Sequence, residues 1–96
     1  MPRLRYSNRA NNDLIRLYKF LAEKDLAAAQ SAIKEIRDAS TTLMHAPKIG
    51  HPTEEGFREY VIDSGSSGYS ALYDFDEITD EVVVHAVRHQ KENNYK

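Results

Sequence analysis

The order of apolar patterns along these 96 residues predicts an α+β fold, β-α-α-β-β-β, with a helical hairpin packed on a twisted antiparallel sheet. Three observations carry it. Apolar residues recur at helical spacing through the first half of the chain. Aromatic and β-branched runs of strand length fill the second half. The gaps between those runs are short enough for hairpin turns only, which makes the three C-terminal strands an antiparallel meander. At this length one core is all the chain buries, so residues 1–96 are expected to form a single domain.

Leu4 and Tyr6 alternate with Arg3, Arg5 and Ser7, a short strand with one wet face. Ser7 is placed to cap a helix of about four turns, in which Ala10, Leu14, Leu17, Tyr18 and Leu21 form one stripe. Glu23-Lys24-Asp25 interrupts it. Asp25 then caps a second helix with Leu26, Ala29, Ile33, Ile36, Leu43 and Met44 on one face, and Pro47 with Gly50 ends it. Lys48 to Gly56 has no periodicity and reads as a loop. Strands follow at Phe57 to Asp63, Tyr69 to Phe75 and Glu81 to Arg88, separated by Gly65-Ser66-Ser67-Gly68 and by Asp76 to Asp80.

Composition narrows the function classes. Thirteen Lys and Arg against fifteen Asp and Glu give a net charge of −2, a poor electrostatic footprint for nucleic acid, so no direct nucleic-acid binding is expected of the chain alone. The charge is uneven: residues 1–51 hold nine basic and five acidic groups, residues 52–96 four and ten. That split suggests a basic and an acidic surface, or a chance asymmetry of solvated faces. Cysteine is absent, which excludes disulfides and thiolate metal sites. The N-terminus lacks the apolar run of a signal peptide and no stretch has the length of a membrane span, so a cytoplasmic protein is expected.

Few residues carry chemistry. His45, His51, His85 and His89 invite a metal, but His85 and His89 stand four apart in a strand, about 13 Å along it, so no metal or other cofactor is expected. Gly65-Ser66-Ser67-Gly68 opens no helix and is a hairpin turn, not a phosphate loop. Ser64, Ser66 and Ser67 lack the surroundings of a nucleophile and read as turn hydroxyls. Glu54-Glu55 and Asp76-Glu77 fall in loops as solvated charge. Arg58, Arg88, His89, Gln90 and Lys91 remain as candidate target-binding residues. The strands of Arg58 and Arg88 run parallel to each other in the meander, which puts the two arginines toward opposite ends of the sheet. The bland alternatives are a salt bridge of Arg58 with Glu54, Glu55 or Glu59, and a frayed, charged C-terminus for Arg88 to Lys91.

The ordered set of a short strand, Asp13-Leu14…Tyr18, an Ala-rich second helix, Pro47…Gly50, Phe57-Arg58-Glu59, Gly68-Tyr69…Leu72-Tyr73 and Ala86-Val87-Arg88-His89-Gln90-Lys91 resembles the ParE/RelE superfamily of toxins from type II toxin–antitoxin systems. The resemblance covers nearly the whole chain. It implies a toxin silenced by a cognate antitoxin whose disordered segment folds across it, and in many members a part in plasmid stabilisation.

The superfamily has two mechanisms. RelE-like members are ribosome-dependent mRNA endonucleases that use basic side chains to activate the 2′-hydroxyl and stabilise charge on the phosphate. The matching positions here are Val61, Asp63, Ser70 and Gln90, none of which supplies a cation; Arg88, His89, Lys91 and Tyr95 would have to form a rearranged catalytic set. ParE-like members poison DNA gyrase by protein contact. The Arg58-Glu59 and Arg88-His89-Gln90 patterns look more like theirs. The resemblance thus implies a gyrase inhibitor rather than an enzyme, with the ribosome as the alternative target. A non-toxic antitoxin-binding module of the same fold is a third reading.

Overall fold

The chain forms β1 (Arg3–Tyr6), α1 (Asn8–Ala22), α2 (Leu26–His45), β2 (His51–Pro52), β3 (Arg58–Ser64), β4 (Ser67–Asp76) and β5 (Glu81–His89). The structure, a computed structural model, describes residues 2–64 and 67–90. Both helices start where a capping side chain is available. Ser7 is extended and its Oγ accepts from the Ala10 N–H at 3.1 Å, while the Asp25 carboxylate accepts from the Ala28 N–H at 3.2 Å.

The strands make one sheet in the order β1-β5-β4-β3-β2. The meander β3-β4-β5 is antiparallel, and the β3–β4 hairpin closes with Ser64 opposite Ser67. The expected turn at Gly65 to Gly68 is therefore shorter, with Ser67 and Gly68 already in β4; Gly65 and Ser66 lie outside the described residues. The expectation of a wholly antiparallel sheet is corrected at one edge, where β1 pairs parallel with β5, Leu4 opposite Val82 and Tyr6 opposite Val84. A period-two run fixes which side chains are dry but says nothing of direction. Two-residue β2, opposite Glu59 and Arg58, is a strand inside the segment expected to be loop.

The helical hairpin covers one face. Leu14, Leu17, Ala32, Ile36 and Leu43 meet Tyr69, Ala71, Tyr73, Val82, Val84 and Val87 there. Ile36, Leu43 and Tyr73 are wholly buried, and each such side chain contributes about 1.5–3 kcal/mol. Leu26 departs from the expected stripe at 54% exposed, because as the first residue of α2 it points back past the hairpin tip.

One extra residue changes the phase of β5. Leu72 faces Ala86 and Tyr73 faces Val84, which leaves His85 as a bulge. Before it Val82 and Val84 face the helices; after it Val87 and His89 do, and Arg88 turns to the open face.

The β5 edge is closed by side chains where β1 stops. The Ser7 N–H donates to the Val84 carbonyl at 2.9 Å and Ser7 Oγ to the His85 carbonyl at 3.0 Å. Asp13, 4% exposed, accepts from the Val87 N–H at 2.9 Å, and Arg16 Nη2 reaches both the Val87 carbonyl and Asp13 at 3.5 Å. The first turns of α1 thus supply the hydrogen bonds a further strand would have made.

Candidate functional site

Arg58 opens β3 and is half-buried. Its Nη1 donates to the carbonyls of Lys48 at 3.1 Å and Gly50 at 2.8 Å, where the sequence suggested a salt bridge to a neighbouring glutamate. Tyr73 works on the same loop: its hydroxyl donates to the Pro47 carbonyl at 2.8 Å and accepts from the Gly50 N–H at 2.9 Å. Burial is the larger influence on this phenol and pushes its pKa above 10.0, against the lowering effects of the Gly50 N–H and the Arg58 charge. Gly50 packs so closely that a Cβ there would sit 2.7 Å from Tyr73 Cε1 and 2.9 Å from the Glu59 carbonyl oxygen.

Arg88 lies across β4 from this cluster and on the other face. It stands opposite Ser70, whereas Arg58 stands opposite Tyr73, three residues and about 10 Å further along β4. Arg88 Nη2 is 3.8 Å from Glu59 Oε2, a pair that reaches from β5 to β3 over Ser70, itself 2% exposed. Val61, Ser70 and Arg88 form one transverse row of the open face, and the Asp63–Gly68 pair lies beside it. The positions matching nuclease cations in the resemblance, Val61, Asp63, Ser70 and Gln90, therefore do come together, but they bring an apolar side chain, a carboxylate, a hydroxyl and an amide.

His89 is on the helix side, its ring edge-on to Tyr69 at 5.3 Å. Burial, and then the nearby Glu35 carboxylate, raise the Tyr69 phenol. Glu35 Oε2 is buried without a hydrogen-bond partner among the described residues. The Gln90 N–H donates to the Gly68 carbonyl at 2.9 Å, and a Cβ on Gly68 would run into the Gln90 side chain. Lys91 and Tyr95 lie outside the described residues. The target-binding candidates thus occupy two places: Arg58 at the loop after α2, and Arg88, His89 and Gln90 at the end of β5.

The other histidines are dispersed. His45 and His51 are exposed, and His85 Nε2 is 3.1 Å from Asp74 Oδ2 with its ring 4.8 Å from Phe57. Among the described residues no three His, Cys, Asp or Glu side chains are grouped to hold a metal. His85 and Asp74 line an open-face groove of about 690 Å³ together with Asp76, Glu77, Glu81 and Arg5, so four acidic residues of the C-terminal half meet there. Arg5 meets Glu81 at 3.4 Å and Lys48 meets Glu77 at 2.7 Å, the latter holding the Glu77 carboxyl below its ordinary range.

Arg16 and Glu35 escaped the sequence reading as members of this region, while Asp13, Glu59 and Tyr69 left a trace only as parts of a family pattern. Each acts across more than ten residues of chain.

A helical hairpin on a mixed five-stranded sheet is the fold of a known toxin class. The structure described as "Chromosomal ParDE TA system from P. aeruginosa" superposes with a TM-score of 0.72 at 20% identity, covering 91% of this chain and 94% of the other. No curated protein matches the sequence. Residues 4–94 match the family described as "ParE toxin of type II toxin-antitoxin system, parDE". The chain belongs to that ParE toxin family. No helix among the described residues is long and apolar enough to cross a membrane.

Proposed function

We propose that the chain inhibits DNA gyrase by protein contact in the cytoplasm and is neutralised by its antitoxin. The observation that favours this over mRNA cleavage is the transverse row on the open face. Where a nuclease would aim cations at a phosphate, Val61, Ser70 and Asp63 stand, and Arg88 lies beside the Glu59 carboxylate. A phosphate approaching Asp63 meets repulsion. The contact surface is the end of β5, with Arg88, His89 and Gln90 touching the target; Lys91, the fourth candidate, lies outside the described residues. Arg58 contributes through the loop it anchors.

Pulse-labelling of DNA and protein synthesis in bacterial cells, minutes after inducing this chain alone, separates the readings. Early loss of DNA synthesis with translation intact, and inhibited supercoiling by purified gyrase, is the expected result. Early collapse of translation would instead identify the RelE-like endonuclease and turn attention to Arg88, His89, Lys91 and Tyr95. Soluble, folded protein with neither effect would identify a non-toxic binding module.

A further inference from the structure

The two borders of the sheet are finished differently. Along β5, Ser7, Asp13 and Arg16 occupy the outward backbone groups beyond β1. Along β3, the cover stops with β2, which reaches Glu59 and no further, while β3 continues to Ser64.

The alternation can be followed residue by residue. The Phe57 carbonyl accepts from the Thr53 N–H at 2.7 Å, so odd-numbered residues of β3 turn their N–H and C=O away from β4. Glu59 spends its outward pair on His51. Val61 and Asp63 come next, and among the described residues no hydrogen bond is made by their outward N–H and C=O groups. Val61 is 40% exposed, one of the large apolar side chains left in solvent. Its neighbours Tyr60 and Ile62 point to the helix side and pack on the core, so this stretch is held straight and extended.

An uncovered strand edge with an apolar side chain in reach is a site for strand addition, in which main-chain hydrogen bonds supply affinity. The occupant follows from charge and from the family. Self-pairing of two copies about Val61 would set Glu59 of each opposite Asp63 of the other, carboxylate against carboxylate on the same face. A second copy is therefore disfavoured. The antitoxin of a ParDE system is the partner chain that the family implies.

We propose that an extended segment of the antitoxin adds to the outer edge of β3 as a sixth strand, bonding the backbone of Val61 and Asp63, with an apolar residue against Val61 and a lysine or arginine opposite Asp63. The proposal rests on the antitoxin partnership and not on gyrase being the target. A toxin kept in complex tolerates an open edge because the partner covers it.

Amide hydrogen exchange of the complex with the cognate antitoxin tests this directly. The expected result is that the Val61 and Asp63 amides exchange fast in the free chain and at least about tenfold more slowly in the complex. Val61→Pro removes one outward donor at a position where an edge strand tolerates proline, and weakens antitoxin binding by about tenfold. Asp63→Lys weakens it by charge reversal without touching the core, and decides the matter should the proline variant fail to fold. A complex that forms with unchanged exchange at both amides overturns the proposal while leaving the partnership standing. No complex at all overturns the partnership. Protection that appears with rising concentration of this chain alone identifies a second copy as the occupant.

Discussion

The β5 border and the β3 border carry the same kind of backbone groups and meet opposite fates. At β5 a buried carboxylate, a guanidinium and a hydroxyl from the start of α1 finish the ladder. At β3 a two-residue strand finishes only its beginning. The first arrangement is internal to the fold and stabilises it in every state. The second leaves the outward backbone groups of Val61 and Asp63 without a partner among the described residues. The lesson is that an edge is a place where a small domain either completes itself or reserves room for a partner.

The contrast is broken most sharply at Asp13. Asp13→Ala leaves the buried Val87 N–H without an acceptor and is expected to lower stability by about 3 kcal/mol, read from urea unfolding. A loss below about 0.5 kcal/mol would mean that the closed edge is closed by something else. Gly50→Ala comes second, because the added methyl meets Tyr73 and the Glu59 backbone; about 2 kcal/mol is expected, with β2 released from β3.

A pH titration distinguishes the borders without mutation. The Tyr73 phenol is raised by burial, so its contribution is complete below the unfolded tyrosine value near 10.0 and is lost as pH rises through the folded value. Ionisation removes the donor to Pro47, and the protection of the His51 amide, taken relative to its intrinsic exchange rate at each pH, should fall on the alkaline side while that of Val87 does not. The smallest effect belongs to the open edge itself. Asp63→Lys in the free chain should change stability by no more than about 0.5 kcal/mol, since this carboxylate is exposed. A larger loss there would show that the edge is already engaged within the chain.

These borders also mark how far the sequence could be read. Ser7 and Asp25 as caps, the stripe from Ala10 to Leu21 and the three strands of the meander were legible because each depends on neighbours within a turn or a few residues. The parallel seat of β1, the short β2 and the Asp13–Val87 bond were not, because each is decided by chain segments far apart in sequence. At the candidate site the residue types were visible, and so was the separation of Arg58 from Arg88. Hidden were the backbone carbonyls that occupy Arg58 and the Glu59 carboxylate beside Arg88.

The bulge at His85 acts on the strand as a change of parity. Ahead of it, even-numbered side chains belong to the protein's interior; behind it, odd-numbered ones do. A run of mostly apolar residues from Val82 to Val87 accommodates either setting, so composition alone would let the strand slide. His85, pinned by Asp74 on one side and Phe57 on the other, counts the residues. Without that one inserted step Val87 would face water and Arg88 would be driven into the core. The face to which Arg88 is turned is thus set by a residue three positions before it.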